Sequence, residues 1–183
     1  FINYIPFISL TGGKLLKHKV INKQENSKMC FICGLKNKFG LYTSFFETED
    51  NLLISIFKPK NEHQGYPGRL HGGIAAAILD ETIGRTINIG KKEQVWGVTL
   101  EFKIKYKKPI PLNEKIRAVA MLDNENKRIF EGKGKIILPD GTTAAEGKGK
   151  YLKMPIEKIT NFDLKENEWH VVSLPDDPCI IEL

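Results

Sequence analysis

Cysteine is scarce in this sequence, and its spacing excludes two common roles. Only Cys30, Cys33 and Cys179 are present, so the single Cys-x-x-Cys pair has neither a second pair nor a spaced histidine pair beside it. Structural zinc needs four ligands in such sets, and a redox pair needs a strand-to-helix setting that Phe31 and Ile32 do not supply. We therefore expect reduced structural thiols in a cytoplasmic protein, without a metal.

Long apolar runs and concentrated positive charge are also missing. No stretch reaches the roughly 18 apolar residues of a membrane-spanning helix, which predicts a protein without a membrane partner. Phe1 to Leu10 is too short and lacks the basic lead of a signal peptide; because the chain begins with Phe1, we expect a fragment or a processed product. The 28 basic residues are dispersed among 22 acids and form no compact block with interleaved aromatics, so no nucleic-acid partner is expected.

The remaining composition is that of an ordinary globular protein. Of 183 residues, 41% are hydrophobic and 27% are charged, which suits one well-packed domain with tails. The net charge of +6 is compatible with an anionic ligand but does not require one.

The most unusual segment places two acids within an apolar helix. The pair Gly72-Gly73 opens a run from Ile74 to Leu79 that is apolar on every side, and Asp80 and Glu81 follow directly. A helix of this kind is normally enclosed by protein, so its carboxylates are expected in or near a core. Catalysis is one reason for keeping acids in such a place.

Period-two patterns on both sides of this helix predict an antiparallel sheet. The predicted strands are Leu41 to Glu47, Leu52 to Phe57, Leu100 to Tyr106, Lys115 to Leu122, Arg128 to Leu138 and Thr142 to Leu152. Polar turns are predicted at Thr48 to Asn51, Asp123 to Asn126 and Pro139 to Gly141. The helix is predicted to end at Asn88 or Gly90. This order predicts an α+β fold in which an antiparallel β-sheet wraps around one long central α-helix.

The sequence Glu-Gly-Lys-Gly-Lys occurs twice, at Glu131 to Lys135 and at Glu146 to Lys150. Neither copy has the spacing of a phosphate-binding loop or opens a helix. On two strands joined at the predicted turn, the copies should lie opposite one another, with glycines where a curved sheet approaches another element closely.

Three of these features together resemble a known family. His71-Gly72-Gly73, an acid nine residues after the histidine at Asp80, and the strand Thr99 to Tyr106 resemble the hotdog-fold acyl-CoA thioesterases, most closely the phenylacetate-pathway and 4-hydroxybenzoyl-CoA types. The lead-in from Cys30 to Leu41 is similar to that of many members. The resemblance implies a hotdog domain over residues 29–153. Residues 1–28 are then an N-terminal arm or loose helix, and residues 154–183 a C-terminal extension whose Trp169 should pack onto the domain.

The resemblance implies a catalytic site without a metal or cofactor, since coenzyme A belongs to the substrate. Gly72, with Gly73 beside it, is expected to present a backbone N–H to the thioester oxygen, and Asp80 to attack the carbonyl or to activate water. Free N–H groups at a helix start favour developing negative charge, and glycine permits close approach. His71 is interpreted as a helix cap or loop organiser rather than a base.

These two roles require a second subunit. Nine residues of helix separate His71 from Asp80, or about 13 Å at 1.5 Å per residue. A base and an oxyanion donor must instead converge within about 3 Å of one reacting centre. Two antiparallel copies of the helix satisfy both conditions, so we expect a homodimer with its sites at the interface, and leave further pairing into a homotetramer open.

Supporting residues follow from the same resemblance. Family members often carry an Asn or Gln six residues before the histidine, where this chain has Gly65, so Gln64 is the candidate for that contact. Thr99 is interpreted either as a water-positioning hydroxyl or as an ordinary strand residue. Leu100, Phe102, Ile104 and Tyr106 alternate with charged residues, which predicts that they form the buried face of their strand. Tyr106 is therefore interpreted either as a coenzyme contact or as a core aromatic.

Charged residues near the motif have less specific interpretations. Arg69, Lys127 and Arg128 are candidate partners for the coenzyme phosphates, although most surface cations bind nothing specific. Glu81 is turned by about 100° from Asp80 on the helix, which favours a structural acid over a second catalytic one.

The sequence therefore predicts a cytoplasmic acyl-CoA thioesterase that releases a free acid and coenzyme A. One alternative is a non-catalytic hotdog module that binds acyl-CoA as a sensor, which the missing Asn or Gln keeps open. Another is a hydratase or dehydratase, which would need His63 or His71 as its catalytic histidine. Acyl-chain identity is not predicted, although Tyr66, Ile83 and Ile87 are candidates for lining the acyl pocket.

Overall fold

The structure is a computed structural model that describes residues 16–161, 163 and 165–183. Its strands are β1 (Lys17–Lys23), β2 (Ser44–Thr48), β3 (Leu53–Phe57), β4 (Gly97–Tyr106), β5 (Ile116–Glu125), β6 (Ile129–Ile137), β7 (Thr143–Lys153) and β8 (Ile180–Glu182). Its α-helices are α1 (Gly72–Gly84) and the single turn α2 (Ile156–Ile159), and 3₁₀ turns occupy Asn61–His63 and Arg85–Asn88.

All eight strands form one antiparallel sheet in the order β4-β7-β6-β5-β3-β2-β1-β8. The helix α1 lies between β3 and β4 in sequence and packs on β3 to β7, so the sheet curves around it. The predicted hotdog architecture is confirmed. The β2-β3 hairpin and the turn before Gly141, which has φ +79°, are also confirmed. The turn predicted from Asp123 was placed too early, because β5 continues to Glu125 through a bulge.

The glycine repeat forms the surface on which the helix rests. Gly132 pairs with Gly149 and Gly134 with Gly147 across β6 and β7, as the repeat predicted. A Cβ added at Gly147 would lie 2.8 Å from Leu79 Cδ2. Such separations are shorter than carbon–carbon contacts allow, so only glycine permits the helix to pack this close to the sheet.

The helix itself is buried on one side and partly exposed on the other. Ile78, Leu79 and Ile83 are fully buried against the sheet, whereas Ala77 and Asp80 keep some contact with solvent. The expectation that α1 is enclosed on every side is therefore met only in part within one chain. Its far end tightens into the 3₁₀ turn, close to the end predicted from the sequence.

Both ends of the chain contribute to the sheet. The N-terminal arm was predicted as a loose segment or helix, which is wrong for Lys17–Lys23: this segment is strand β1, held by backbone bonds to β2 and β8. Residues 1–15 of the arm, and the proposed reading of Phe1 to Leu10, lie outside the described residues. In the C-terminal extension, Trp169 packs on Trp96 with ring centroids 5.0 Å apart, which locates the predicted tail contact. The domain boundaries themselves stay a prediction.

Candidate active site

Asp80 lies at the centre of a hydroxyl-lined cavity beside α1. The Tyr151 hydroxyl donates to Asp80 Oδ1 at 3.0 Å, and Thr99 Oγ1 donates to its two oxygens at 3.3 and 3.2 Å. The cavity has a volume of about 290 Å³, and its wall includes Trp96 and Trp169. The carboxylate is therefore held in a fixed orientation with room for a small reactant beside it.

The environment of Asp80 favours its protonated form more than exposure to water does. Burial raises the pKa of this carboxyl, while the hydrogen bonds from Tyr151 and Thr99 oppose that rise and Glu81 adds to it. Burial beside the Asp80 charge in turn raises the pKa of Tyr151, so its hydroxyl stays a donor. A carboxylate with a raised pKa is a stronger base, as proton abstraction from water requires.

A β-bulge directs Thr99 toward Asp80. In β4 the register shifts between Thr99, which faces Tyr151, and Glu101, which faces Lys150. Without the bulge, strict alternation would place Thr99 on the solvent face with Glu101. Leu100, predicted as buried, lies in the bulge and is 50% exposed, which corrects that part of the prediction.

Tyr151 is the site residue that the sequence reasoning missed. It is 2% exposed and stacks on Phe130 at 4.8 Å between ring centroids. Added Cβ atoms would lie 3.2 Å from its ring at Gly84 and 2.7 Å from Phe130 at Gly97, so both glycines leave space for the aromatic pair. The signal was present in the repeat, because Tyr151 follows Gly149 with the period of two that keeps it on the helix side.

The start of α1 presents one free backbone donor. His71 is the N-cap, and its Nδ1 accepts from Gly73 N at 3.0 Å. Within the described part of the chain the N–H of Gly72 has no partner, while the Gly72 carbonyl accepts from the Tyr106 hydroxyl at 2.7 Å. His71 is thus a cap, as interpreted from the sequence. Tyr106 is 52% exposed, so its interpretation as a core aromatic is wrong.

The loop before the helix is organised by its own hydrogen bonds. Gln64 Oε1 accepts from Gly68 N at 3.2 Å, and Gly65 packs on His71. His63 is buried with both ring nitrogens engaged, one accepting from Lys60 N at 2.9 Å and the other donating to Phe39 O at 2.8 Å. A histidine held in this way is not available for acid–base chemistry, which argues against the hydratase alternative.

Within one chain the candidate residues form two separate groups. Tyr106 contacts the start of the helix, whereas Thr99 contacts Asp80. The seven residue steps from Thr99 to Tyr106 along β4 span about 23 Å. Arg69 is exposed in the loop next to the first group. Lys127 and Arg128 are exposed in the β5-β6 turn, at the end of the sheet that carries Thr99.

Glu81 has structural partners on the other side of the cavity. Arg85 donates to its Oε1 at 3.0 Å from Nε and 2.9 Å from an Nη atom, and Cys30 Sγ donates to Oε2 at 3.3 Å. The same Nη2 atom of Arg85 also donates to Cys33 Sγ at 3.2 Å. Cys30, Cys33 and Cys179 are free thiols, as expected. The Arg85 guanidinium is thus in contact with both the Cys33 thiol and the Glu81 carboxylate.

The acyl-pocket candidates are not part of this cavity. Ile83 and Ile87 are buried in the main core, and Tyr66 is 84% exposed on the preceding loop. The acyl pocket was predicted to depend on packing between two subunits, so the role of these three residues in it stays a prediction.

Comparison with known proteins agrees with the fold and the motif. Residues 67–145, which contain the helix start and Asp80, match the family model of the thioesterase superfamily. The chain has a hotdog fold, and its residues 67–145 are similar to the thioesterase superfamily. The solved structure of the E. coli PaaI protein from the phenylacetic acid degradation operon superimposes with a TM-score of 0.56 at 15% identity, covering 63% of this chain and 81% of that one.

Two further relatives bear on chemistry. The mouse acyl-coenzyme A thioesterase THEM4 is 28% identical over 147 residues, which cover 80% of this chain and 61% of the relative. This chain therefore spans less than two thirds of that relative's length. The structure of the BH2602 protein from Bacillus halodurans with CoA is 28% identical, has a TM-score of 0.54, and covers 61% of this chain and 73% of its own. Within the described residues, no helix of this hotdog chain is long and apolar enough to cross a membrane.

Proposed function

We propose that this chain is an acyl-CoA thioesterase that hydrolyses an acyl or aryl thioester of coenzyme A without a metal. The observation that carries the proposal is the Asp80 carboxyl, which is partly buried, oriented by two hydroxyls, and raised in pKa. The mouse relative named as an acyl-coenzyme A thioesterase and the related structure with CoA support the same chemistry.

The proposed reaction has two routes that use the same residues. As a base, Asp80 removes a proton from water while the water oxygen bonds to the thioester carbon. As a nucleophile, its oxygen forms an anhydride that water then opens. In both, the carbonyl oxygen becomes negative near the Gly72 N–H, the carbon–sulfur bond breaks, and the departing thiolate takes up a proton.

A two-fold dimer would join the two groups of residues into complete sites. Strand β4 is the last in the sheet, and within the described residues its outer edge is unpaired over ten residues. Long unpaired edges readily pair with another chain, and the half-exposed Leu100 and Tyr106 lie along this one. Pairing two antiparallel copies would bring Asp80 of one subunit toward Gly72 of the other. A homotetramer and a cytoplasmic location stay predictions.

In such a dimer the coenzyme contacts also converge. Tyr106 and Arg69 accompany the helix start of one subunit, and Lys127 and Arg128 accompany Asp80 of the other. A coenzyme with several phosphates would then meet cations from both chains.

The direct test is thiol release from short, medium, long and aromatic acyl-CoAs by the wild type and by Asp80→Asn. The expected result is release by the wild type that falls at least a thousandfold in the variant, since no other group in the proposed site replaces the base. In a mixed dimer of Asp80→Asn and Gly72→Pro subunits, one of the two sites combines an intact Asp80 with an intact Gly72. Because half of the randomly formed dimers are mixed, mixing the two impaired variants should restore about a quarter of wild-type activity. Activity absent from every mixture would contradict the shared site.

The sensor is the second candidate, because the amide oxygen of Gln64 is bound to Gly68 rather than free for a substrate. No release from any acyl-CoA, together with tight binding of the intact thioester, would support the sensor over the enzyme.

A further inference from the structure

A second cavity lies on the opposite face of the sheet from α1. It is an open cavity with a volume of about 570 Å³, lined by strands β2, β3 and β5 and by the segment that leads into β8. This volume is within the range of about 300–1,000 Å³ that small-molecule sites occupy. None of the residues that line the Asp80 cavity lines this one, so the two are separate features.

The floor of this cavity is apolar. Phe46 and Ile56 project from the sheet, and Ile181 of β8 closes one side. Phe46 and Ile181 belong to a small second core on this face, and Ile56 packs against it. Ile180, which also lines the cavity, is 54% exposed. An apolar surface in a concave setting favours a hydrocarbon ligand.

One rim of the cavity is basic. Lys58, Lys115 and Arg117 surround it, together with Lys60, whose ammonium lies 4.4 Å from the centre of the Tyr42 ring. Arg117 Nε is buried and has no hydrogen-bond partner within the described residues. In that same part of the chain, Lys58 and Lys115 form no ion pair.

Three acids also line the cavity, and two of them are already paired with lysines. Asp177 bonds to Lys23 at 2.7 Å, and Glu182 pairs with Lys17 at 3.5 Å. Asp176 is the third acid of the lining. A guanidinium with an unused donor, in a cavity that also has apolar lining, matches a hydrocarbon chain that ends in a carboxylate. Inorganic phosphate lacks the hydrocarbon part that the apolar residues would bind.

We propose that this cavity binds a long-chain carboxylate, with the carboxylate on Arg117 and Lys115 and the chain along Phe46, Ile56 and Ile181. The binding does not depend on thioester hydrolysis, because the site shares no residue with the Asp80 cavity.

The test is photolabelling of the wild-type chain with hexadecanoate that carries a mid-chain diazirine. Mass spectrometry should find the label on the segments 42–58 and 174–182. Unlabelled hexadecanoate should compete, whereas hexadecanol and inorganic phosphate should not. In a binding titration with hexadecanoate, Arg117→Gln should weaken affinity by about tenfold or more, as loss of a charge-assisted bond implies.

Two controls keep the test sharp. Lys148→Gln removes the same charge from exposed β7 away from the cavity and should leave affinity unchanged. Lys115 also lines the cavity but is exposed, so Lys115→Gln should leave folding intact. It should weaken hexadecanoate binding, which keeps the test valid if Arg117→Gln disturbs folding. Label concentrated around Asp80, equal losses in Lys148→Gln and Arg117→Gln, or binding to anionic phospholipid vesicles without binding to hexadecanoate would each overturn the proposal.

Discussion

The free N–H at the start of α1 can be removed with almost no other change. Gly72 is the first helical residue, a position that proline tolerates because its missing N–H needs no helical partner. The preceding His71 has φ −62° and ψ 134°, which is the extended conformation required before proline. An added Cβ has room, since the nearest atom is Tyr106 Cζ at 3.6 Å. Gly72→Pro therefore deletes one donor, and Gly72→Ala is the matched variant that retains it.

We expect Gly72→Pro to lower kcat by about 100- to 1,000-fold relative to Gly72→Ala, the usual effect of losing one oxyanion donor. The Michaelis constant should change little, because the oxygen becomes fully negative only in the transition state. The assay is thiol release from the best acyl-CoA substrate over a range of concentrations. Thermal unfolding should give similar Tm values for the two variants.

Equal kcat values for the proline and alanine variants would refute the oxyanion role of Gly72. A loss confined to the Michaelis constant would also contradict it, since that result describes ground-state binding.

Three further predictions concern the base, the glycine surface and the buried cation. Tyr151→Phe removes a hydrogen bond that lowers the pKa of Asp80, so the acidic limb of kcat/KM should move up by about one pH unit; an unchanged or lowered limb would contradict the contact. Gly147→Ala should destabilise the fold by about 1–3 kcal/mol in urea unfolding, and the effect should shrink in a Leu79→Ala background, where the clashing atoms are absent. Arg85→Ala should lower the free energy of unfolding by about 3–5 kcal/mol, because it leaves a partly buried carboxylate unpaired; a loss below about 1 kcal/mol would show that solvent replaces the ion pair.

The sequence was sufficient for the architecture because its local signals agree with one another. The Gly72-Gly73 start, the repeated glycines and the turn before Gly141 each specify a backbone geometry that only a few residues allow. The order of these elements along the chain then indicates that the sheet encloses the helix that begins at Gly72.

The parts that could not be predicted depend on contacts between distant segments. The bulge that turns Thr99 toward Asp80 has no marker in the alternating pattern, which predicted Leu100 as buried. Strand β1 lies in a lysine-rich segment and forms through its pairing with β2 and with β8, and β8 comes more than 150 residues later. Tyr151 could have been found from the repeat, but only once the side of the sheet facing the helix was known.

The pairing of β1 with β8 also has a consequence for how this chain assembles. Leu16 and Leu183 exchange two backbone hydrogen bonds, at 2.9 and 3.0 Å, across nearly the whole length of the chain. Closing so long a loop is entropically slow, so this edge should be the last part of the sheet to register during refolding and the first to exchange its amide hydrogens. The segment 174–182, which lines the second cavity on the face of the sheet opposite α1, is anchored at the same edge. A ligand bound in that cavity would therefore slow amide hydrogen exchange in β1 and in β8 together.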